Sequence, residues 1–135
     1  MSTGLIGTRG TKVGDVLKYE NDAYTGYTRE DAVVTVTAGM EVGAVLESTS
    51  VPGKYTLTVV ATTADADGVL IDSEVYNIDP TTLPADYTLA VLVDGPAQVS
   101  KEALSFGADV DTQPEIDAVV AALETNTGIK AKQRV

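Results

Sequence analysis

The sequence predicts a mainly β domain, of the α+β type, in which short strands build a small barrel or sheet and one C-terminal helix covers it. Three observations carry that expectation. Several short runs alternate apolar and polar residues between turn signals, one segment repeats its apolar residues at helical spacing, and the first 27 residues show neither period. The chain has 135 residues, enough for one domain with a modest core. Residues 1–27 therefore read as an N-terminal arm and residues 28–135 as the β-rich domain.

The arm comes first. It is rich in Gly and Thr and has no sustained apolar period, so it has little core of its own and is expected to be flexible in the free protein. Inside it, "VGDVLKYE" (13–20) has enough Val, Leu and Tyr to form a short strand once a sheet edge is offered. Val13, Gly14, Val16, Leu17 and Tyr19 are the residues expected to dock it.

The β pattern begins at Arg29. "AVVTVT" places Val34 and Val36 on one face, with Val33, Thr35 and Thr37 on the other. Turns are expected at Ala38-Gly39 and near Gly43, with a short apolar run to Leu46. "GKYTLTVVA" sets Tyr55, Leu57 and Val59 against Thr56, Thr58 and Val60, the pattern of a half-buried strand. "EVYNI" (74–78) reads as another, bounded by Asp79-Pro80, and "TLAVLV" (88–93) suits a central strand ended by Asp94-Gly95-Pro96.

One helix stands out, from Pro114 to about Asn126. Thr112 and Glu115 have capping-box spacing, and Pro114 sits in the first turn, where its missing N–H costs nothing. Ile116, Val119, Val120 and Leu123 then form one apolar stripe, which is expected to cover the sheet, and Gly128 is placed to end the helix. A weaker helical stretch is expected at 100–104.

The stretch "TADADGVLIDSE" (63–74) approximates an EF-hand calcium loop, with Asp65, Asp67, Gly68 and Glu74 in place and Thr63 in the first ligand position. Calcium needs six to eight converging oxygens, and an EF-hand supplies them from a loop between two helices. Here both flanks read as strands, so Asp67-Gly68 is expected to be a tight turn and no metal is expected to bind.

Composition narrows the chemistry further. Cys and His are both absent, which removes thiol nucleophiles, disulfides and the usual base near neutral pH. There is no glycine-rich phosphate loop, and the aspartates fall mainly in turn contexts, so no enzyme activity and no cofactor are expected. The net charge is −11, all of it carried by residues 31–135, and such a body repels nucleic acid. No apolar run approaches the ~20 residues that cross a bilayer, so no membrane partner is expected. The N-terminus lacks the long apolar stretch of a signal peptide, which suggests a protein retained in the cell that makes it.

The order of the segments adds what no single residue supplies. "GDVL" (14–17), "TRE" (28–30), "AGMEVGAVL" (38–46), "GKYTL" (53–57), "DGVLI" (67–71), "VLVDGPAQVSKEAL" (91–104) and "LETNTGI" (123–129) together resemble the head decoration proteins of tailed bacteriophages, the lambda-type group. Each is a low-information pattern, but seven in order across residues 14–131 are specific. Two places depart from the pattern: Val69-Leu70-Ile71 stands where a small residue and Gly normally precede Ile-Leu, and "ETNTG" replaces a shorter helix end.

The resemblance implies a compact β-clip-like fold and a structural, non-enzymatic role. Such a protein would be made in the host cytoplasm and would sit as a homotrimer on the outer surface of the virion capsid. It would occupy threefold and quasi-threefold axes, with the major capsid protein as partner, and would stabilise the expanded head. Residues 13–20 would then belong to a capsid-binding arm that becomes ordered on the shell. A glycan-binding or adhesive β domain on the virion surface, using Tyr55 or Tyr87, is the alternative.

Overall fold

Among the described residues, eight strands divide between a closed barrel and a smaller open sheet. The computed structural model describes residues 13–20, 29–94, 97–107 and 110–132. In chain order the strands are β1 (Leu17–Glu20), β2 (Arg29–Val36), β3 (Val45–Ser48), β4 (Lys54–Leu57), β5 (Ala66–Leu70), β6 (Ala85–Leu92), β7 (Ala97–Ser100) and β8 (Ile129–Lys132). A single helical turn, α1 (Val13–Val16), precedes β1, and the long helix α2 (Gln113–Thr127) precedes β8.

The barrel closes in the order β2-β4-β3-β5-β6. The two longest strands form its spine: β2 and β6 pair antiparallel over eight residues, from Arg29 opposite Leu92 to Val36 opposite Ala85. Ala32, Val34 and Val36 point inward while Asp31 and Val33 point out, so the period-2 pattern of the sequence is the barrel's inside and outside. β6 is central as expected, bonded to β2 on one side and β5 on the other. Closure leaves none of these five strands with a free edge. The core is aliphatic, with Val34, Val45, Leu46, Val69, Leu70, Val91 and Leu92 completely buried; in pairs such as Val45-Leu46 the two side chains lie on opposite sides of the barrel wall, so the outer side is covered too. Each such side chain contributes roughly 1.5–3 kcal/mol relative to exposure.

Helix α2 lies across β5, β8 and the 3-10 segment Val60–Asp65. At its start the backbone N–H groups of Thr112 and Asp111 donate to Glu115 Oε1 at 3.1 and 3.2 Å. At its end Gly128 adopts φ +82°, a left-handed cap that closes on the Glu124 carbonyl. Val119 and Leu123 are fully buried, with Ile116 and Val120 half-buried beside them. The polar residue Asn126 ties the helix down as well, donating to the carbonyls of Ala64 at 3.2 Å and Ala66 at 2.8 Å.

Four local expectations are corrected. Asp67-Gly68 is not a turn but the middle of β5. Gly68 lies opposite Leu46, and a Cβ there would come within 3.0 Å of Val91 Cγ1, so close packing between strands explains the glycine. "EVYNI" is not a strand: Ser73–Asn77 is a 3-10 helix started by Asp72, whose carboxylate accepts the Glu74 N–H at 3.0 Å. The strand expected from Tyr55 through Val60 ends at Leu57, because the chain turns into the 3-10 segment Val60–Asp65 beneath α2. The helix expected at 100–104 is a single 3-10 turn, Lys101–Ala103.

Candidate functional site

Strand β1 leads directly to the molecule's second sheet, ordered β1-β7-β8. β1 pairs antiparallel with β7, Leu17 opposite Val99 and Tyr19 opposite Gln98, with a bulge between them that leaves Lys18 exposed. β8 runs parallel along the other side of β7, from Ala97 opposite Ile129 to Ser100 opposite Lys132. Val99 and Ile129 face the core, which leaves Lys130 and Lys132 on the solvent side.

The segment anticipated as a docking arm therefore has a place in its own chain. Val16 is completely buried, while Val13 and Leu17 are half-buried against the same core. Gly14 lies in the turn α1 and Tyr19 on β1. The expectation that this stretch waits for a neighbour's edge is corrected for residues 13–20, because β7 already supplies the edge. The rest of the anticipated arm, 1–12 and 21–27, lies outside the described residues.

Gly43 is what lets α1 settle there. Its φ is +97°, and a Cβ at this position would meet the Ala103 carbonyl oxygen at 2.6 Å and Val16 Cγ2 at 3.0 Å. Its N–H donates to the Leu70 carbonyl at 2.8 Å and its carbonyl accepts from Ser105 N–H at 2.9 Å. The barrel, the 104–107 segment and α1 thus meet at one residue without a side chain.

The polar groups elsewhere are mostly engaged in holding the backbone. Asp67 accepts from Ser48 N–H at 2.8 Å and Ser48 Oγ at 2.6 Å, joining β5 to β3. Asp72 accepts from Ala90 N–H at 3.0 Å in addition to capping Ser73–Asn77. Asp67, which matches a calcium-loop ligand position in the sequence, and Asp72, within the same stretch, are therefore spread over different neighbours. Among the described residues no group of three or more carboxylates converges as a metal site would require.

Two of the clefts at the surface are lined by described residues. One, of about 360 Å³, is lined by Glu74, Asn77, Asp79, Tyr87 and Thr88 among others. Its polar groups already have partners: Asn77 donates to Glu74 at 3.2 Å, and the Tyr87 hydroxyl lies 3.3 Å from Thr82 Oγ1 outside the cleft lining. Asp79 accepts from Thr81 N–H at 3.0 Å, which holds its carboxyl below the usual aspartate range. The other, of about 310 Å³, runs along residues 37–41 to Leu57 and Phe106. Tyr55, a candidate sugar platform by sequence, is buried and donates its hydroxyl to Glu30 Oε1 at 3.1 Å. Burial and the Glu30 charge push that phenol up to about 12. A ring packed inside the barrel wall offers no face to a sugar.

What the geometry provides is a rigid closed barrel, a buried root for the N-terminal segment and carboxylates occupied as caps and cross-strand ties. The family model of bacteriophage lambda head decoration protein D matches residues 6–129, nearly the whole chain. The chain belongs to that family. No curated protein and no solved structure matches it. Head decoration is a structural role on the capsid. Sequence reasoning reached the family through segment order but missed Gly43, Asn126 and Asp67 as structural ties. Only Gly43 had a local signal, as a turn glycine.

Proposed function

We propose that this head decoration protein occupies the outer surface of the phage capsid as a homotrimer at threefold and quasi-threefold axes. There it binds the major capsid protein and stabilises the expanded head. The observation that carries the reading is the family match over residues 6–129. The engaged carboxylates and the buried Tyr55 support a structural rather than catalytic or glycan-binding use of the body.

The arm keeps a part in this proposal, with its root redefined. Val13, Gly14, Val16, Leu17 and Tyr19 anchor it on β7 and beside Gly43, and residues 1–12 reach the shell. An extended segment gains main-chain hydrogen bonds from a sheet edge, while ordering costs roughly 1–2 kcal/mol per residue of backbone entropy. One arm alone therefore holds weakly, and three arms on one trimer raise the effective concentration of each. Deleting residues 1–12 tests this on undecorated, expanded heads of the phage that encodes the chain. The truncated protein should keep its thermal midpoint and its trimer while losing decoration. Decoration at undiminished affinity would show that the arm is not the capsid contact.

A further inference from the structure

The barrel wall carries an apolar projection toward one end of the β2–β4 pair and an apolar groove at the other. The projection is the turn 49–54. Its Val51 is the most exposed large apolar side chain among the described residues, at 54%. Pro52 beside it is exposed as well, and so is Val33 on the adjoining strand β2. The turn is held at several points. Lys54 N–H donates to the Val51 carbonyl at 3.1 Å, and Thr49 N–H donates to the Lys54 carbonyl at 2.9 Å. Val51 N–H donates to Thr49 Oγ1 at 3.1 Å, and Val33 N–H donates to the Gly53 carbonyl at 2.9 Å. An apolar tip on a turn bonded in this way is preorganised for contact, since little freedom is left to lose on binding.

The groove is the cleft of about 310 Å³ whose apolar lining includes Ala38, Met40, Leu57 and Phe106. Strand pairing fixes its place relative to the turn. β2 and β4 run parallel with Val33 opposite Lys54, so the turn lies beside Val33 and the groove lies where both strands end. Thr37, in the groove, is four residues beyond Val33. That is about 13 Å along a strand at ~3.3 Å per residue. Turn and groove are thus two different surfaces at two levels of one wall. A contact between them joins copies head to tail, and repeated head-to-tail contacts close into a ring when the rotation allows. Charge agrees with such a contact. Lys54 is the one charged residue of the turn 49–54, and Glu41 is the one charged residue of the groove lining. Elsewhere a net charge of −11 makes copies of the chain repel one another.

We infer that the turn 49–54 of one copy seats Val51 and Pro52 in the groove of the next copy, against Ala38, Leu57 and Phe106, and that this contact closes the trimer. The inference rests on the homotrimer reading above and adds to it the two surfaces that meet. Size permits the fit: a cavity of about 150 Å³ holds a benzene-sized group, so the groove has room for the Val51 side chain and the Pro52 ring together. Lys54, bonded to Asp86 at 3.0 Å in its own copy, then comes to the rim that carries Glu41 of the next. Both surfaces are used once per copy in a closed ring, so no apolar tip is left exposed.

The chain has no cysteine, which makes a cross-link a clean test. The full-length double variant V51C/A38C places one thiol on the turn and one in the groove, both at exposed positions. After mild oxidation it should run as a covalent trimer on a denaturing gel without reductant, while V51C alone and A38C alone run as monomers. Sedimentation of Val51→Asp gives the second reading. A carboxylate pushed into an apolar groove should weaken trimer assembly at least about tenfold, with the circular dichroism spectrum of the parent kept. If Val51→Asp does not fold, the cross-link decides alone. Covalent dimers from V51C alone would show two turns meeting face to face, which overturns the inference. Absence of any cross-link from V51C/A38C, or a Val51→Asp trimer as tight as the parent's, also overturns it and leaves the homotrimer standing. A parent that sediments as a monomer removes the homotrimer reading and this inference with it.

Discussion

Val16 separates an arm that belongs to the shell from an arm that is part of the body. It is completely buried, and the wall on one side is the backbone of Gly43, fixed at φ +97° by hydrogen bonds to Leu70 and Ser105. Val16→Ala removes two carbons, about 1.6 kcal/mol of transfer free energy at ~0.8 kcal/mol per buried carbon. The neighbouring backbone is too constrained to collapse fully, so a residual cavity adds on the order of 1 kcal/mol. The expected loss is about 2–3 kcal/mol, which in a chain of this size lowers the thermal midpoint by about 8–12 °C. The assay is a circular dichroism melt of the free protein without capsids, with parent and variant at equal concentration, because assembly makes the midpoint depend on concentration. If the midpoint moves by less than about 2 °C while decoration of heads is lost, Val16 is not buried in the free protein, and residues 13–20 are capsid-binding arm alone.

Other perturbations follow from the same structure. Leu123→Ala empties the fully buried contact between α2 and the barrel and should cost about 2–5 kcal/mol, read as a lower denaturant midpoint. Gly43→Ala combines a strained positive φ, about 1–3 kcal/mol by itself, with a backbone overlap at Ala103, so the variant should melt well below the parent or fail to fold. The N–H groups of Thr112 and Asp111 hold the Glu115 carboxyl below its ordinary range, so its stabilisation is present above the unfolded glutamate range and lost as pH falls through the lowered folded value. Glu115→Gln should therefore flatten part of the acid limb of a stability–pH curve. Tyr55 shows the opposite sign: with its folded value raised to about 12, stability falls as pH rises from the unfolded tyrosine range near 10 toward 12, and Tyr55→Phe should remove that part of the alkaline loss. Calorimetry with calcium should show no stoichiometric site at residues 63–74, and micromolar binding there would refute the assignment of Asp67 and Asp72 as backbone ties.

The sequence was legible wherever one local rule decided the outcome. β2 alternates cleanly, and its buried set is the one the period names. Helix α2 announces itself through Glu115, its apolar stripe and Gly128, and each has the geometry its type demands. The readings failed where tertiary packing overrode local preference. Asp-Gly favours a hairpin turn, yet Asp67-Gly68 runs straight through β5. There the missing side chain makes room for Val91, and the carboxylate reaches Ser48 on the adjacent strand. "EVYNI" has the β-branched and aromatic residues of a strand. Asp72 nevertheless starts a 3-10 helix, because its two oxygens serve Glu74 and Ala90 at once. Neither partner is visible from spacing.

The small sheet was harder to read for a related reason. Lys18 and the pair Lys130 and Lys132 are more than a hundred residues apart, and nothing local links "VGDVLKYE" to "IKAK". Their meeting depends on β7, a four-residue strand whose two sides accept one antiparallel and one parallel neighbour. Among the described residues, the barrel has no edge strand, and the small sheet has β1 at one edge and β8 at the other. The exposed lysines stand beside those edges, where charge discourages unspecific strand pairing between copies.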